Sequence, residues 1–404
     1  MAPLACSDGL TGVAGSSEVG SMRILFSSTR GSGHLQPLLP YARALIARQH
    51  EVVVAAPAEV SEALRGEGIA HAPFDHPGED VLEPIWARLR GVSNDAAMAI
   101  ALPEIFAGVN ARIALPKLQA AIRSFRPDLV VRDSVEYAAL VAAEVADVPH
   151  ARVAVHSVSF EEMFPPVTDA PIDALRELAS LPPERGASLR AEAVFSSFPA
   201  SVDGVPAGSR MCAPFRSRVV EDAPSSAPAA WAPAGDPRPL VYITFGSIVG
   251  STPHLRAVYR TSLDAVADLP VRALLTTGRG LEPDVLGAIP ANVHVEVWIP
   301  QRDVLPRVSA LICHGGSGTL LGGLAAGLPM VVVPLGADQP HNGRLVAAAG
   351  GGLVLAQPDA GELRAAIQTV LEDPELRRSA RRIADEIAAM PTIESAVDRL
   401  LGMA

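Results

Sequence analysis

The sequence predicts an α/β protein built from two doubly wound, parallel-sheet domains. Three observations carry this. Short continuous apolar runs alternate with helical patterns, the pattern occurs as two series, and a Pro/Ala/Ser-rich stretch separates them. In the first series MRILFSS (22–28), EVVVAA (51–56), DLVV (128–131) and ARVAV (151–155) read as strands, apolar throughout as strands covered on both faces are. Helical patterns at 35–49, 58–67, 114–125 and 135–147 fall between them. This βαβα order implies a parallel sheet with helices on both sides. The second series has strands at PLVYITF (239–245), RALLTT (272–277), VHVEV (293–297), ALIC (310–313) and MVVVP (330–334). Its helices fall near 253–268, 317–327, 341–349, 359–372 and 374–389.

At about 100–200 residues per domain, a chain of 404 residues has room for two large ones. Segment 220–238 reads as the linker between an N-terminal domain at 22–219 and a C-terminal domain at 239–389. Pro391 breaks the last helical pattern from its predecessor, so 390–404 is expected to be a helix packing back on the N-terminal domain. Residues 1–21 are small and polar, with neither a cationic start nor an apolar run. They are not a secretory signal and read as a disordered extension or expression remnant, with Met22 opening the first strand. The uncharged stretch 319–337 has the length of a membrane span. Its glycines, with Pro329 and Pro334, fit a helix, a turn and a buried strand better.

Composition narrows the function. With 49% hydrophobic and 19% charged residues the chain is not disordered. A net charge of −11 argues against nucleic acid as a partner, which calls for a basic face. Cys6, Cys212 and Cys313 are too scattered for a disulfide framework or a zinc site, and the cytoplasm is the default compartment. Lys117 is the sole lysine, and no GxxxxGK[ST] loop exists.

The chemistry gathers at strand ends. SSTRGSGHLQP follows the first strand, and Gly31 and Gly33 bring His34 to the strand–helix junction. GSGHLQ lacks the third glycine of a dinucleotide fingerprint because Gln36 stands there. After ALIC comes HGGSGTLLGG, where glycines at a helix start let backbone N–H groups meet an anion. Ser317 and Thr319 add hydroxyls, and His314 adds a donor or a positive charge. The GxSxG hydrolase elbow fails here, because Thr319 holds its last place. TFGS (244–247) offers a second phosphate-type turn with Gly246 and Ser247. VEVWIPQ (295–301) sets Trp298 at a strand end, where it either stacks on a flat base or packs in the core. In PLGADQPHN, Asp338 and Gln339 are adjacent groups suited to sugar hydroxyls.

PDLVVRDS in the first domain, with TFGS, VEVWIPQ, HGGSGT and ADQ in order in the second, resembles the Leloir glycosyltransferases that decorate natural products. The actinobacterial antibiotic-type members are most similar, and the resemblance spans about 22–402. It implies the GT-B fold, two Rossmann-like domains facing across a cleft. It carries the family's catalytic histidine to His34 and its carboxylate partner to Asp133, with Glu136 as a competing partner. It implies that Trp298 stacks on the base, bordered by Ile299 and Gln301. His314 and Gly316–Thr319, including Ser317 and Gly318, fall on the pyrophosphate site, and Asp338 and Gln339 on the donor sugar. Two departures stand out. Ser317-Gly318 replaces the Trp-Asn pair of plant members, and Gly322 stands where many UDP-sugar users carry a ribose-binding glutamate.

An imidazole, whose ordinary pKa is about 6.5, can take the proton of an acceptor hydroxyl as it attacks the anomeric carbon, inverting the configuration. Helix N-termini and N–H groups would stabilise the departing diphosphate. No DxD motif occurs, so neither a metal nor a resident cofactor is expected, and the nucleotide sugar is a co-substrate. Phe74, Trp86, Phe106 and Phe160, in the least regular segments 74–112 and 156–190, either line a hydrophobic acceptor pocket or form core. Gly322 favours a dTDP-sugar, since a thymidine diphosphate has no 2′-hydroxyl to leave unpaired; the alternative is that water or a neighbouring backbone group satisfies that hydroxyl and leaves the enzyme permissive. A nucleotide-sugar epimerase and a non-catalytic auxiliary protein are the alternatives, and monomer or homodimer stays open.

Overall fold

The computed structural model describes residues 20–205, 208–219, 231, 235–247 and 249–404. Most of the expected extension and linker therefore lies outside the described residues. The chain divides into two compact units.

The first unit holds seven strands: β1 (Arg23–Ser27), β2 (Glu51–Pro57), β3 (Ala70–Phe74), β4 (Leu129–Asp133), β5 (His150–Val153), β6 (Ala193–Ser196) and β7 (Phe215–Arg216). They pair in parallel in the order β3-β2-β1-β4-β5-β6-β7. The second holds β8 (Leu240–Thr244), β9 (Arg272–Thr276), β10 (Val293–Glu296), β11 (Ala310–Cys313), β12 (Met330–Val332) and β13 (Gly352–Val354), all parallel, ordered β10-β9-β8-β11-β12-β13. The central strands are apolar on both faces because both faces are covered. Leu25 and Val130 pack under the helices Ala111–Phe125 and Tyr137–Val145, while Ile24, Phe26 and Val131 pack against the helix Leu39–Ala47.

Two expectations change. The segments read as irregular are largely helical: Glu79–Leu89, then a continuous run Asn94–Phe125, and further on Pro165–Leu178. That run passes through a π-helical stretch, Ala101–Asn110, containing Pro103, which has no N–H to give. The run is long and apolar enough to cross a membrane by length and composition, yet Leu102, Ile105, Leu118 and Ile122 on it are buried within the unit. Residues 319–337 form the end of the helix Ser317–Ala325 and β12.

The domain boundary is also not a single cut. Phe198–Asp203 belongs to the second unit. Phe198 and Val202 are buried there with Trp231, Leu240 and Tyr242, an aromatic cluster that outweighs their place in the sequence. From Pro391 onwards the chain returns to the first unit. The helix Ile393–Leu401 buries Ile393, Ala396, Val397 and Leu400 among Leu38, Tyr41 and Leu45. Arg48 clamps it, with Nη1 2.5 Å from Asp398 Oδ1 and Nη2 donating to the Glu394 carbonyl at 3.1 Å.

Candidate active site

Each sheet reverses its strand order once, between β1 and β4 in the first unit and between β8 and β11 in the second. The carboxyl ends of the strands at such a switch point are where open α/β sheets bind ligands. The two groups of motif residues fall at these two places.

In the first unit the turn after β1 holds Gly31 at φ 112°, a conformation open to glycine, and leads into a short helical turn, Ser32–Leu35, that carries His34. Gly33 beside it is exposed. Asp133, the last residue of β4, is fully buried. Its Oδ2 accepts from the Thr29 N–H at 2.7 Å and from the Ser28 and Thr29 hydroxyls at 3.3 and 3.2 Å. Its Oδ1 accepts from the N–H groups of Val135 and Glu136 at 2.8 and 2.9 Å. His34 Nδ1 lies 3.6 Å from Oδ2, buried and making no hydrogen bond. Catalytic hydrogen bonds are often this long until substrate arrives. Burial opposes ionisation of Asp133. The His34 imidazole and the N–H groups of Thr29 and Val135 outweigh burial and hold the carboxyl below its ordinary value. An ionised Asp133 favours the Nδ1–H tautomer of His34 and leaves Nε2 as the base.

Glu136 is engaged elsewhere. It caps the helix Tyr137–Val145, accepting from the Ala138 and Ala139 N–H groups at 3.1 and 2.9 Å, and it accepts from Ser27 Oγ at 2.9 Å. Burial, then repulsion by Asp133, pushes its carboxyl up to about 7. Geometry thus pairs His34 with Asp133. Among the expected acceptor residues, Phe106 has its ring 5.8 Å from that of His34. Trp86 is exposed on the helix Glu79–Leu89, Phe74 is buried in the core, and Phe160 is buried against His156 and Phe164.

In the second unit β8 turns through Gly246, at φ 79°, and Ser247. The chain leaves β11 through His314, Gly315 and Gly316 into the helix Ser317–Ala325. A Cβ on Gly246 would sit 2.9 Å from His314 Nε2, and one on Gly316 only 2.4 Å. The imidazole fills the space between two bare backbones. Burial lowers its pKa to about 4, against a weaker pull from Asp338, which favours the neutral imidazole. Its Nδ1 is buried without a hydrogen-bond partner. Beside it the first N–H groups of the helix, at Ser317, Gly318 and Thr319, lack intrahelical partners and favour an anion.

Asp338 braces this turn, and Gln339 braces the one after β12. Asp338 Oδ2 accepts from Ser317 Oγ at 3.0 Å and from Asn342 Nδ2 at 2.7 Å, and the same amide donates to the Gly315 carbonyl at 2.9 Å. Gln339 Oε1 accepts from the Leu335 and Gly336 N–H groups at 2.8 and 3.1 Å. Trp298, two residues past β10, is 58% exposed, so its indole is not core. Ile299 is half-buried, and Gln301 Nε2 donates to Thr319 Oγ1 at 2.9 Å. A Cβ on Gly322 would lie 2.9 Å from Leu305 Cδ1 and 3.2 Å from Gln301 Oε1, so the glutamine amide already occupies the space beside that position.

Sequence reasoning missed Ser28, Thr29 and Asn342, and also that the His156 ring lies 6.1 Å from that of His34. Asn342 stands one helical turn after Asp338, and the hydroxyl pair directly precedes the His34 turn. Both were readable only once the partner carboxylate was known.

Residues 260–403 match the family described as erythromycin biosynthesis protein CIII-like, C-terminal domain. The L-demethylnoviosyl transferase of Streptomyces niveus is 31% identical over 389 residues, covering 92% of this chain and 95% of that protein. The chain belongs to the natural-product glycosyltransferases. It is a Leloir-type enzyme of the inverting family with two Rossmann-like domains. The elloramycin glycosyltransferase ElmGT of Streptomyces olivaceus is 30% identical over 401 residues, 94% of this glycosyltransferase and 97% of that protein. The crystal structure of the glycosyltransferase SnogD from Streptomyces nogalater aligns with a TM-score of 0.72 at 28% identity, covering 95% of this glycosyltransferase and 99% of that chain.

Proposed function

We propose that this glycosyltransferase moves a deoxysugar from a thymidine diphosphate donor to a hydroxyl of a hydrophobic natural product, in the cytoplasm and without a metal. The observation that carries the reading is His34 beside the buried carboxylate of Asp133 at the first switch point. His34 Nε2 takes the hydroxyl proton, the oxygen bonds to the anomeric carbon, and the sugar–phosphate bond breaks with its electron pair going to the diphosphate. Asp133 stabilises the imidazolium as it forms. The helix N-terminus at Ser317–Thr319 and neutral His314 meet the charge on the leaving diphosphate. Asp338 and Gln339 then hold the sugar through the atoms not used in bracing the turns.

The donor preference rests on Gly322. The side chains beside Gly322 are Leu305 and the Gln301 amide rather than a carboxylate, and a ribose 2′-hydroxyl left unpaired there would cost about 1–3 kcal/mol. Relatives named as transferases lend the epimerase alternative no support. Binding of dTDP, dUDP and UDP separates the contributions: dTDP against dUDP reports the methyl, dUDP against UDP the hydroxyl. UDP binding as tightly as dUDP would sink the donor assignment. Transfer from dTDP-sugars to a panel of aglycones, read by mass spectrometry with and without chelator, tests the rest, and strict, magnesium-restorable dependence would contradict the metal-free route.

A further inference from the structure

The carboxyl ends of β10, β9, β8 and β11 follow one another, in that order, along the edge of the second sheet. Trp298 stands past the end of β10, Gly246 and Ser247 past β8, and His314 past β11. Arg279 stands past the end of β9, between the indole and the phosphate-type turn. Its backbone is held from three sides. The Thr277 and Gly278 N–H groups donate to the Glu296 and Val297 carbonyls at 3.0 and 2.9 Å, which ties the turn to the segment leading into Trp298. A Cβ on Gly278 would lie 2.5 Å from the Gly246 carbonyl oxygen, so the turn also lies backbone against backbone on the one after β8. Thr277 Oγ1 donates to the Leu281 carbonyl at 2.7 Å and closes the loop around Arg279. The Arg279 side chain is exposed, and among the described residues no carboxylate pairs with it.

We propose that Arg279 binds the diphosphate of the nucleotide, its guanidinium meeting the phosphate oxygens from between the base platform and the turn at Gly246. This rests on the reading of the second unit as the nucleotide-sugar site. A nucleotide whose base stacks on Trp298 and whose diphosphate meets the helix Ser317–Ala325 has to cross the ends of β9 and β8, and so passes Arg279. The other groups along that path offer dipoles rather than a cation. Burial favours the neutral imidazole of His314, Asp338 is a buried acid, and Arg256 turns its Nε to the Gly250 carbonyl at 2.8 Å. The sole lysine, Lys117, belongs to the first unit. A guanidinium forks onto two phosphate oxygens, and a stem fixed at its backbone loses less freedom on binding. The same charge would meet the negative charge that grows on the diphosphate as the sugar leaves.

Binding tests this apart from turnover. dTDP and thymidine are titrated calorimetrically into the full chain as wild type, Arg279→Ala, Arg279→Lys and Arg302→Ala. Arg302, one residue after Gln301, is another exposed arginine of this unit and serves as the comparison. Arg279→Ala should weaken dTDP about 5–30-fold, between the worth of an exposed ion pair and that of a sequestered charged hydrogen bond, and leave thymidine unchanged. From about 0.05 to about 0.5 M salt, the affinity of wild type for dTDP should fall more steeply than that of Arg279→Ala. Arg279→Lys keeps the charge and should keep the steeper slope, and Arg302→Ala should match wild type. Equal losses for thymidine and dTDP would put Arg279 on the base and overturn the assignment. So would a salt slope unaltered in Arg279→Ala, or one lost in Arg302→Ala instead. Failure of the nucleotide-site reading shows separately, as dTDP that does not bind wild type at all, whereas dTDP that binds wild type and Arg279→Ala alike removes Arg279 alone.

Discussion

Replacing Asp133 by Asn probes the pairing of base and carboxylate most directly. Each of the five hydrogen bonds to the carboxylate comes from a donor. An amide offers one acceptor oxygen and one NH2. With its nitrogen at the Oδ1 position it would face the N–H groups of Val135 and Glu136, at 2.8 and 2.9 Å. With its nitrogen at Oδ2 it faces only the Thr29 N–H at 2.7 Å, while one of the neighbouring hydroxyls rotates to accept from one amide hydrogen and the other hydrogen is left for His34. The second placement wins and leaves one buried donor unsatisfied, at about 1–3 kcal/mol. Tm should fall by about 2–4 °C per kcal/mol for domains of this size. The same placement turns an amide N–H towards His34 Nδ1, which must then accept, and the ring proton moves to Nε2. The ring loses its basic nitrogen, and turnover should fall roughly 10²–10⁴-fold. Affinity for dTDP, which the proposed function assigns to the second unit, should hold. Thermal melts, product formation by mass spectrometry and calorimetry read the three quantities. If turnover stays within about tenfold of wild type while Tm drops, Asp133 does not set the His34 tautomer and the reasoning is refuted.

Trp298→Ala should weaken dTDP binding by about 1–3 kcal/mol, the worth of stacking on a base, and calorimetry showing no change would exclude stacking. Gly316→Ala places a methyl 2.4 Å from His314 Nε2 and should displace the imidazole at a cost of about 1–3 kcal/mol, seen as weaker dTDP binding with an intact circular dichroism spectrum. Glu136 has its folded pKa raised from 4.5 to about 7, so the native state holds the extra proton between those values. Its contribution to stability is full below the lower value and is lost as pH rises through the upper one. Glu136→Gln should therefore flatten the decline of wild-type stability over that window, and denaturant titrations giving parallel pH profiles would contradict the assigned shift.

The central strands were legible because burial on both faces leaves an unbroken apolar run. The edges were not. β3 carries His71 and Pro73 and is half solvated, β7 has two residues, and β13 has three and begins at Gly352. The helices over 79–110 were hidden by Pro84, Pro103 and Gly108, which interrupt the apolar period; a Cβ at Gly108 would meet the Pro103 carbonyl oxygen at 2.8 Å. At the site, histidines and glycines at strand ends announced themselves. The grip of Thr29 on Asp133, of Asn342 on Asp338, and the proximity of His156 to His34 depend on which strands are neighbours. That is a property of topology, which no local spacing encodes.

The route of the chain has a consequence for recombination. A single crossover placed in the Pro/Ala-rich linker would exchange more than one unit, because Phe198–Asp203 precedes the cut and Pro391–Ala404 follows it. A hybrid made that way inherits a foreign terminal helix against Arg48 and a foreign aromatic cluster partner at Phe198. A hybrid that exchanges the second unit whole needs two grafts, the body of that unit and the Phe198–Asp203 segment, with the original terminal helix left in place.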